Sequence, residues 1–254
     1  MAASPQRSQS STEAEALRAD SEDFHTHRKR YGSPRVFQEL KKQQIKCSEN
    51  RAAWLMHEMG LRAKGARKFK HTTDSWRSER KKNRIAMNIL ARRFKVQARN
   101  QVWCGDITYI YTDEGFMYLA LFIDLYSRRV VGWALGERLT AELVLQAILI
   151  RQPPAGLLVH TDRDSQYTSD KFIELAQGNK LTLSMSRRGN CWDNAVVESF
   201  FNSLKRELIS GEKIRTRKQL RTSLTEYLDV YYNTVRMHST LDYVSPMEYE
   251  NKAA

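Results

Sequence analysis

Three runs rich in aromatic and β-branched residues constrain this chain more than anything else in it: VWCGDITYIY (102–111), FMYLALFIDLYS (116–127) and RRVVGWAL (128–135). Such composition suits a pleated, half-buried surface, and the TDEG between the first two runs is a turn signal, so a three-strand meander is expected. A helix follows over TAELVLQAILI (140–150), stopped by Pro153 and Pro154, and then a fourth strand in GLLVHT. A helix from about Ser169 to Gln177, a fifth strand in LTLSMS, a loop RRGN and a long helix from about Asp193 to Ile209 complete the set. Three antiparallel strands, then strands alternating with helices, give an α/β (α+β) layer fold with a mixed sheet flanked by helices.

Upstream, YGSPRVFQELKKQQIKCSENRAAWLMHEMGLRAK (31–64) reads as two helices. Ser33 can cap the first with Pro34 at its first position, and Val36, Phe37, Leu40 and Ile45 give its apolar side. Ser48 caps the second, where Ala52, Leu55, Met56 and Met59 recur at helical spacing before Gly60 stops it. The pair fits a helix-turn-helix reader and fits an ordinary helical hairpin equally well.

Charge separates the two halves. Residues 1–100 hold 24 Lys plus Arg against 10 Asp plus Glu, whereas residues 101–254 hold 18 against 19. Residues 61–100 alone carry 14 basic and 2 acidic side chains, a density that repels itself unless polyanion is near. Nucleic acid is therefore the first partner to consider, with Arg62, Lys64, Arg67 and Lys68 as candidate contacts. The domain reading is a disordered leader (1–29), a helix-turn-helix region (30–65), a basic linker with one helix (66–100), a sheet-based core (101–212) and a helical tail (213–254). There is no run of eighteen apolar residues and no secretory start, which points to a cytoplasmic chain with no membrane partner. Cys47, Cys104 and Cys191 make no CxxC pair and read as thiols in the fold.

Three carboxylates occupy places where such a fold exposes side chains. Asp106 lies inside the first strand, where an acid is costly unless its charge is compensated. Asp162 follows LLVHT directly, at the carboxyl end of a strand, the edge where open α/β sheets place their sites. Asp164 is two residues further on, so period two alone does not choose between them. Glu198 flanks the apolar stripe Val197, Phe201, Leu204 and Leu208 on the last helix, beside Asn194, Asn202 and Lys205. Three converging acids need divalent metal, and hard oxygen ligands suit Mg²⁺ or Mn²⁺; two such ions can hold the attacking and leaving oxygens of a phosphoryl displacement.

The segments WCGDITYIYTDEGFMYLALFIDLYSRRVVGWAL, VHTDRDSQYTS and SMSRRGNCWDNAVVESFFNSLKREL resemble the core of the OrfB-type insertion-sequence DDE transposases, whose catalytic domain is similar to retroviral integrases. YLDVYYNTVRMHSTLDYVSPMEYE resembles that family's C-terminal motif, and the likeness spans roughly residues 30–250. It implies an RNase H-like fold with Asp106, Asp162 and Glu198 as catalytic acids on two metal ions. The 35 residues between Asp162 and Glu198 match the family interval, whereas Asp164 would leave 33. It also implies Lys205 as a DNA-end contact; Arg187, Arg188 and Asn194 join it by position and type. Water and then a 3′-hydroxyl would attack a phosphodiester with no covalent protein intermediate. A bacterial, nucleoid-associated enzyme follows, acting on element ends and target DNA as a homo-oligomer with an OrfA partner or fusion.

Two departures stand out. The family reads HSDRGSQY where this chain has HTDRDSQY; Asp164 would cost about 1 kcal/mol if that position needs a positive φ, and it adds negative charge beside the metal site. The helix at 140–150 is also shorter than in the family. Both leave open an impaired copy that acts only as a DNA-binding protein.

Overall fold

The structure is a computed structural model that describes residues 21, 24–64, 84–210 and 214–252. The chain divides into two compact units, residues 1–68 and 69–254. In the smaller unit, α1 (Ser33–Lys42) and α2 (Glu49–Glu58) pack on each other over buried Val36, Leu40, Ala52, Leu55 and Met56. Ser48 accepts the Arg51 N–H and caps α2 as its sequence predicts, and Gly60 ends that helix at φ +64°. Ser33 does not cap α1: the chain turns helical one residue earlier, Gly32 is the cap, and its carbonyl takes the N–H groups of Arg35 and Val36.

The larger unit is built on a five-stranded sheet of order β3-β2-β1-β4-β5, comprising β1 (Val102–Thr112), β2 (Gly115–Asp124), β3 (Val130–Gly136), β4 (Leu158–Thr161) and β5 (Thr182–Met185). The first three strands form the expected antiparallel meander, while β4 and β5 run parallel to β1. TDEG makes the first turn, with Thr112 paired to Gly115 and the glycine at φ +108°. One side of the sheet buries Trp103, Phe122, Val131, Val159, Tyr167 and Phe172 with α3 (Ala141–Leu149) and α4 (Asp170–Gly178). Removing rings of this size from water contributes about 1.5–3 kcal/mol each, the main force holding the layer together.

Of the linker expected over 66–100 with one helix, residues 66–83 lie outside the described residues, and 84–100 contain no α-helix; Leu90 is buried, and the N–H groups of Ile89 and Leu90 donate to Ser184 Oγ on β5. The apolar positions there serve an irregular strap along the sheet edge. The long helix is also not uniform: a 3₁₀ turn (Cys191–Asn194) leads into α5 (Ala195–Leu204), and a π turn (Lys205–Ile209) ends it. One extra residue per turn re-aims the side chains beyond Leu204, and Glu207 is buried against Arg236 and Tyr227. The C-terminal segment, with α6 (Arg217–Thr225), a π-helical stretch (Glu226–Tyr232) and α7 (Pro246–Lys252), packs into this unit through buried Leu220, Leu224, Tyr227 and Leu228. Buried Glu250 of α7 bonds Ser127 and Arg129 at the β2–β3 turn, at 2.9 and 2.6 Å.

Candidate active site

The sheet register brings two acids together. β4 pairs with β1 only over Val102–Cys104 against Leu158–His160, and the same offset carries Asp106 opposite Asp162, just past the end of β4. Beyond Cys104, β1 keeps only β2 as a ladder partner, which leaves a notch at the carboxyl end of β4. The Ile107 N–H donates to Asp106 Oδ1 at 2.7 Å, and the Asp164 N–H donates to Asp162 Oδ1 at 2.9 Å.

Burial pushes the Asp106 carboxyl well above its ordinary range, the negative charge of Asp162 adds to this, and Asp164 and Glu198 add further; the opposing influence is the Ile107 N–H. Asp162 is raised to about 7, first by burial and then by Asp164. Asp164 is itself raised by burial, and a hydrogen bond between the two carboxyls favours charge on Asp164 over Asp162. Asp164 is not left-handed, so the backbone strain expected from an Asp in place of Gly is absent there. Its departure from the family pattern is electrostatic only.

Glu198 lies in the first turn of α5, half-buried beside the stripe of Val197, Phe201, Leu204 and Leu208, all buried as their spacing predicts. Helix and strand are tied next to Asp106, where buried Asn194 donates from Nδ2 to the Gly105 carbonyl at 3.2 Å. A Cβ at Gly105 would stand 2.3 Å from the Phe122 ring, so this close approach requires glycine. Lys205 Nζ lies 5.5 Å over the Tyr109 ring; burial lowers its pKa, and the Asp106 charge opposes that.

Sequence reasoning missed the hub that fixes the start of α5. Asp193, fully buried, accepts from the Arg187 N–H, Nε and guanidinium, from Arg92 Nε and from Asn88 Nδ2, at 2.8–3.0 Å. The Arg187 side chain hydrogen bond holds this carboxyl far below the usual range. Arg187, expected on phosphate, thus has its guanidinium on Asp193, while Arg188 is exposed. The signal was the RRGNCWD spacing, which lets an Arg reach an acid six residues later. His160 is buried between Ser184 and Ser186, and burial lowers its pKa to about 4. In the smaller unit Arg62 is exposed and Lys64 half-buried; Arg67 and Lys68 lie outside the described residues.

Hard oxygen donors of this kind suit Mg²⁺ or Mn²⁺. Two buried atoms beside them, the Tyr167 hydroxyl and Asn194 Oδ1, have no hydrogen-bond partner among the described residues, a pattern that fits a site meant to hold a hydrated ion. Among the described residues no three His, Cys, Asp or Glu side chains are already drawn up around one point. Asp106 feels the charges of Asp162, Asp164 and, last among them, Glu198.

The integrase core domain family matches residues 96–191, a second integrase core domain family matches 179–246, and an HTH-like domain family matches 21–69. A chain of the simian T-cell lymphotropic virus intasome, solved by cryo-electron microscopy with a PP2A regulatory subunit, superposes with a TM-score of 0.51 at 14% identity, over 91% of this chain and 74% of that one. The larger unit carries an integrase core, a mixed five-stranded sheet flanked by helices. The transposase for insertion sequence element IS904 of Lactococcus lactis is 44% identical over 89% of this chain and 90% of its own length. Transposase InsF for insertion sequence IS3A of Escherichia coli is 41% identical over 90% and 80%. The chain belongs to the IS3 family of insertion-sequence transposases. No described helix is long and apolar enough to cross a membrane.

Proposed function

We propose that this transposase cuts and joins DNA at the ends of its element through Asp106, Asp162 and Glu198, which would hold two Mg²⁺ or Mn²⁺ ions. The observation that carries this reading is the parallel β1–β4 register, which sets Asp106 level with Asp162 in a half-buried notch where burial and the Asp162 charge raise the need of Asp106 for a counter-ion. When bound, the ions would supply Lewis-acid activation of the attacking oxygen and neutralise the leaving one. The chain's own residues do the rest. The Ile107 and Asp164 N–H groups orient the two carboxylates, and Asn194 fixes α5, hence Glu198, against β1. Lys205 and exposed Arg188 offer phosphate contacts at the mouth. The β-rich region 101–212 is the catalytic part, 213–254 its buttress, 66–100 a basic connection, and 30–65 a helix-turn-helix region that takes duplex DNA with Arg62 and Lys64 beside it. Action as a homo-oligomer with an OrfA product follows from the same reading. A supercoiled donor carrying candidate ends, incubated with Mg²⁺ and with or without OrfA, tests it: Asp162→Asn should abolish strand cleavage and Asp164→Ala should not.

One observation favours a second reading, an impaired copy that only binds DNA. The Asp164 side chain, whose backbone N–H already bonds Asp162 Oδ1, also raises the Asp162 pKa, which would weaken ion binding at neutral pH. DNA binding without cleavage at any pH would select it.

A further inference from the structure

Beyond Asp106, the open stretch of β1 carries Tyr109 and Tyr111, and β2 brings Phe116 opposite Tyr111. All three rings face solvent, at 40%, 64% and 50% exposure. They touch edge to face in one row: Tyr109 to Phe116 at 5.6 Å and 87°, Tyr111 to Phe116 at 5.3 Å and 70°. The row begins three residues from Asp106, about 10 Å along a strand whose alternation turns the two side chains to opposite faces, at a stretch where β1 has lost β4 and forms an open edge. Lys205 spans that gap, with its ammonium 5.5 Å above the Tyr109 ring and within reach of the Asp106 charge.

We propose that Tyr109, Phe116 and Tyr111 form a stacking platform for unpaired bases of the DNA strand whose phosphate lies at the acids, with Lys205 holding the phosphate between. This deepens the proposed function and rests on it. Exposed aromatic faces in line with a cation are what single-stranded nucleic acid requires, because each base offers a π-face and each link a phosphate. Duplex DNA keeps its base faces stacked inside the helix and offers none to the row. An apolar protein partner would have to cover the Lys205 ammonium, at a desolvation cost that a phosphate repays. If the rings served only to hold the β1–β2 hairpin, trimming them would leave DNA selectivity unchanged.

The test uses the full chain, a short oligo-dT strand carrying one 2-aminopurine, and the same strand in a duplex. The parent should quench the 2-aminopurine and prefer the single strand. Tyr111→Ala and Phe116→Ala should each bind the single strand roughly tenfold more weakly with duplex affinity unchanged, and Tyr111→Phe and Phe116→Tyr should restore parent binding. Alanine variants that bind the single strand like the parent, that lose both probes equally, or that change only the oligomeric state in light scattering would overturn the platform. An Asp162→Asn control read by strand cleavage separates the two levels. Its loss of cleavage beside parent-like alanine variants removes the platform alone; retained cleavage in Asp162→Asn beside selective loss of single-strand binding removes the catalytic assignment alone.

Discussion

Asp164 meets Asp162 twice, donating its backbone N–H to Oδ1 at 2.9 Å and setting its own carboxyl close enough to raise the Asp162 pKa. The first contact orients a candidate metal ligand, and any residue supplies it. The second is peculiar to an acid at this position and opposes ionisation of Asp162. Asp164→Gly should therefore cleave faster than the parent at neutral pH. Burial and Asp164 set Asp162 at about 7, and the ionised carboxylate is the form that binds metal. Below that pH the parent rate should rise about tenfold per pH unit, and the advantage of Asp164→Gly should shrink as pH climbs past it. Initial nicking rates across neutrality check this; an Asp164→Gly variant no faster than the parent at any pH contradicts it.

The Arg236 guanidinium forks onto Glu207 at 2.6 and 2.8 Å, with Tyr227 donating to the same carboxylate at 2.9 Å, all buried. Arg236→Ala strands a buried charge and should destabilise the larger unit by about 3–5 kcal/mol, whereas a double exchange of Glu207 and Arg236 for Leu and Met should cost much less. Urea denaturation of the three proteins measures the difference.

A methyl group at Gly105 collides with the buried Phe122 ring, which itself stacks edge-on against Tyr167. Gly105→Ala should cost about 1–3 kcal/mol of stability through overpacking. Since Asp106 is the next residue and Asn194 holds the Gly105 carbonyl, cleavage should fall by more than that lost stability explains, at temperatures where the variant remains folded.

Much of this was legible in the sequence because period and turn chemistry are local. The β1–β3 runs, the TDEG turn, the Ser48 cap and the buried face of α5 all follow from spacing. Asp106 and Asp162 could be singled out as strand-borne acids, yet their juxtaposition depends on a β1–β4 register that no local pattern encodes. What escaped the sequence joins distant segments: the strap bonded to Ser184, the Asp193 hub and the Glu207–Arg236 pair. A basic residue such as Arg187 looks the same in sequence whether it faces DNA or a buried carboxylate.

Asp193 offers a stability test with a defined sign. Its pKa is depressed in the folded chain, chiefly by the Arg187 side chain, so its contribution is present above the ordinary Asp pKa of about 3.9 and fades as pH falls below it. Asp193→Asn should be less stable than the parent at neutral pH by about 1.5–3 kcal/mol, and the gap should close in acid. Thermal unfolding of both proteins over that range decides it.

The most direct measurement of the central claim is Mg²⁺-dependent nicking of a supercoiled donor by the parent and by Asp106→Asn, Asp162→Asn and Glu198→Gln, each verified to be folded and to bind DNA. Loss of nicking in all three, with DNA binding retained, is the outcome that three acids sharing divalent ions predict. Nicking that persists in any one of them would contradict it.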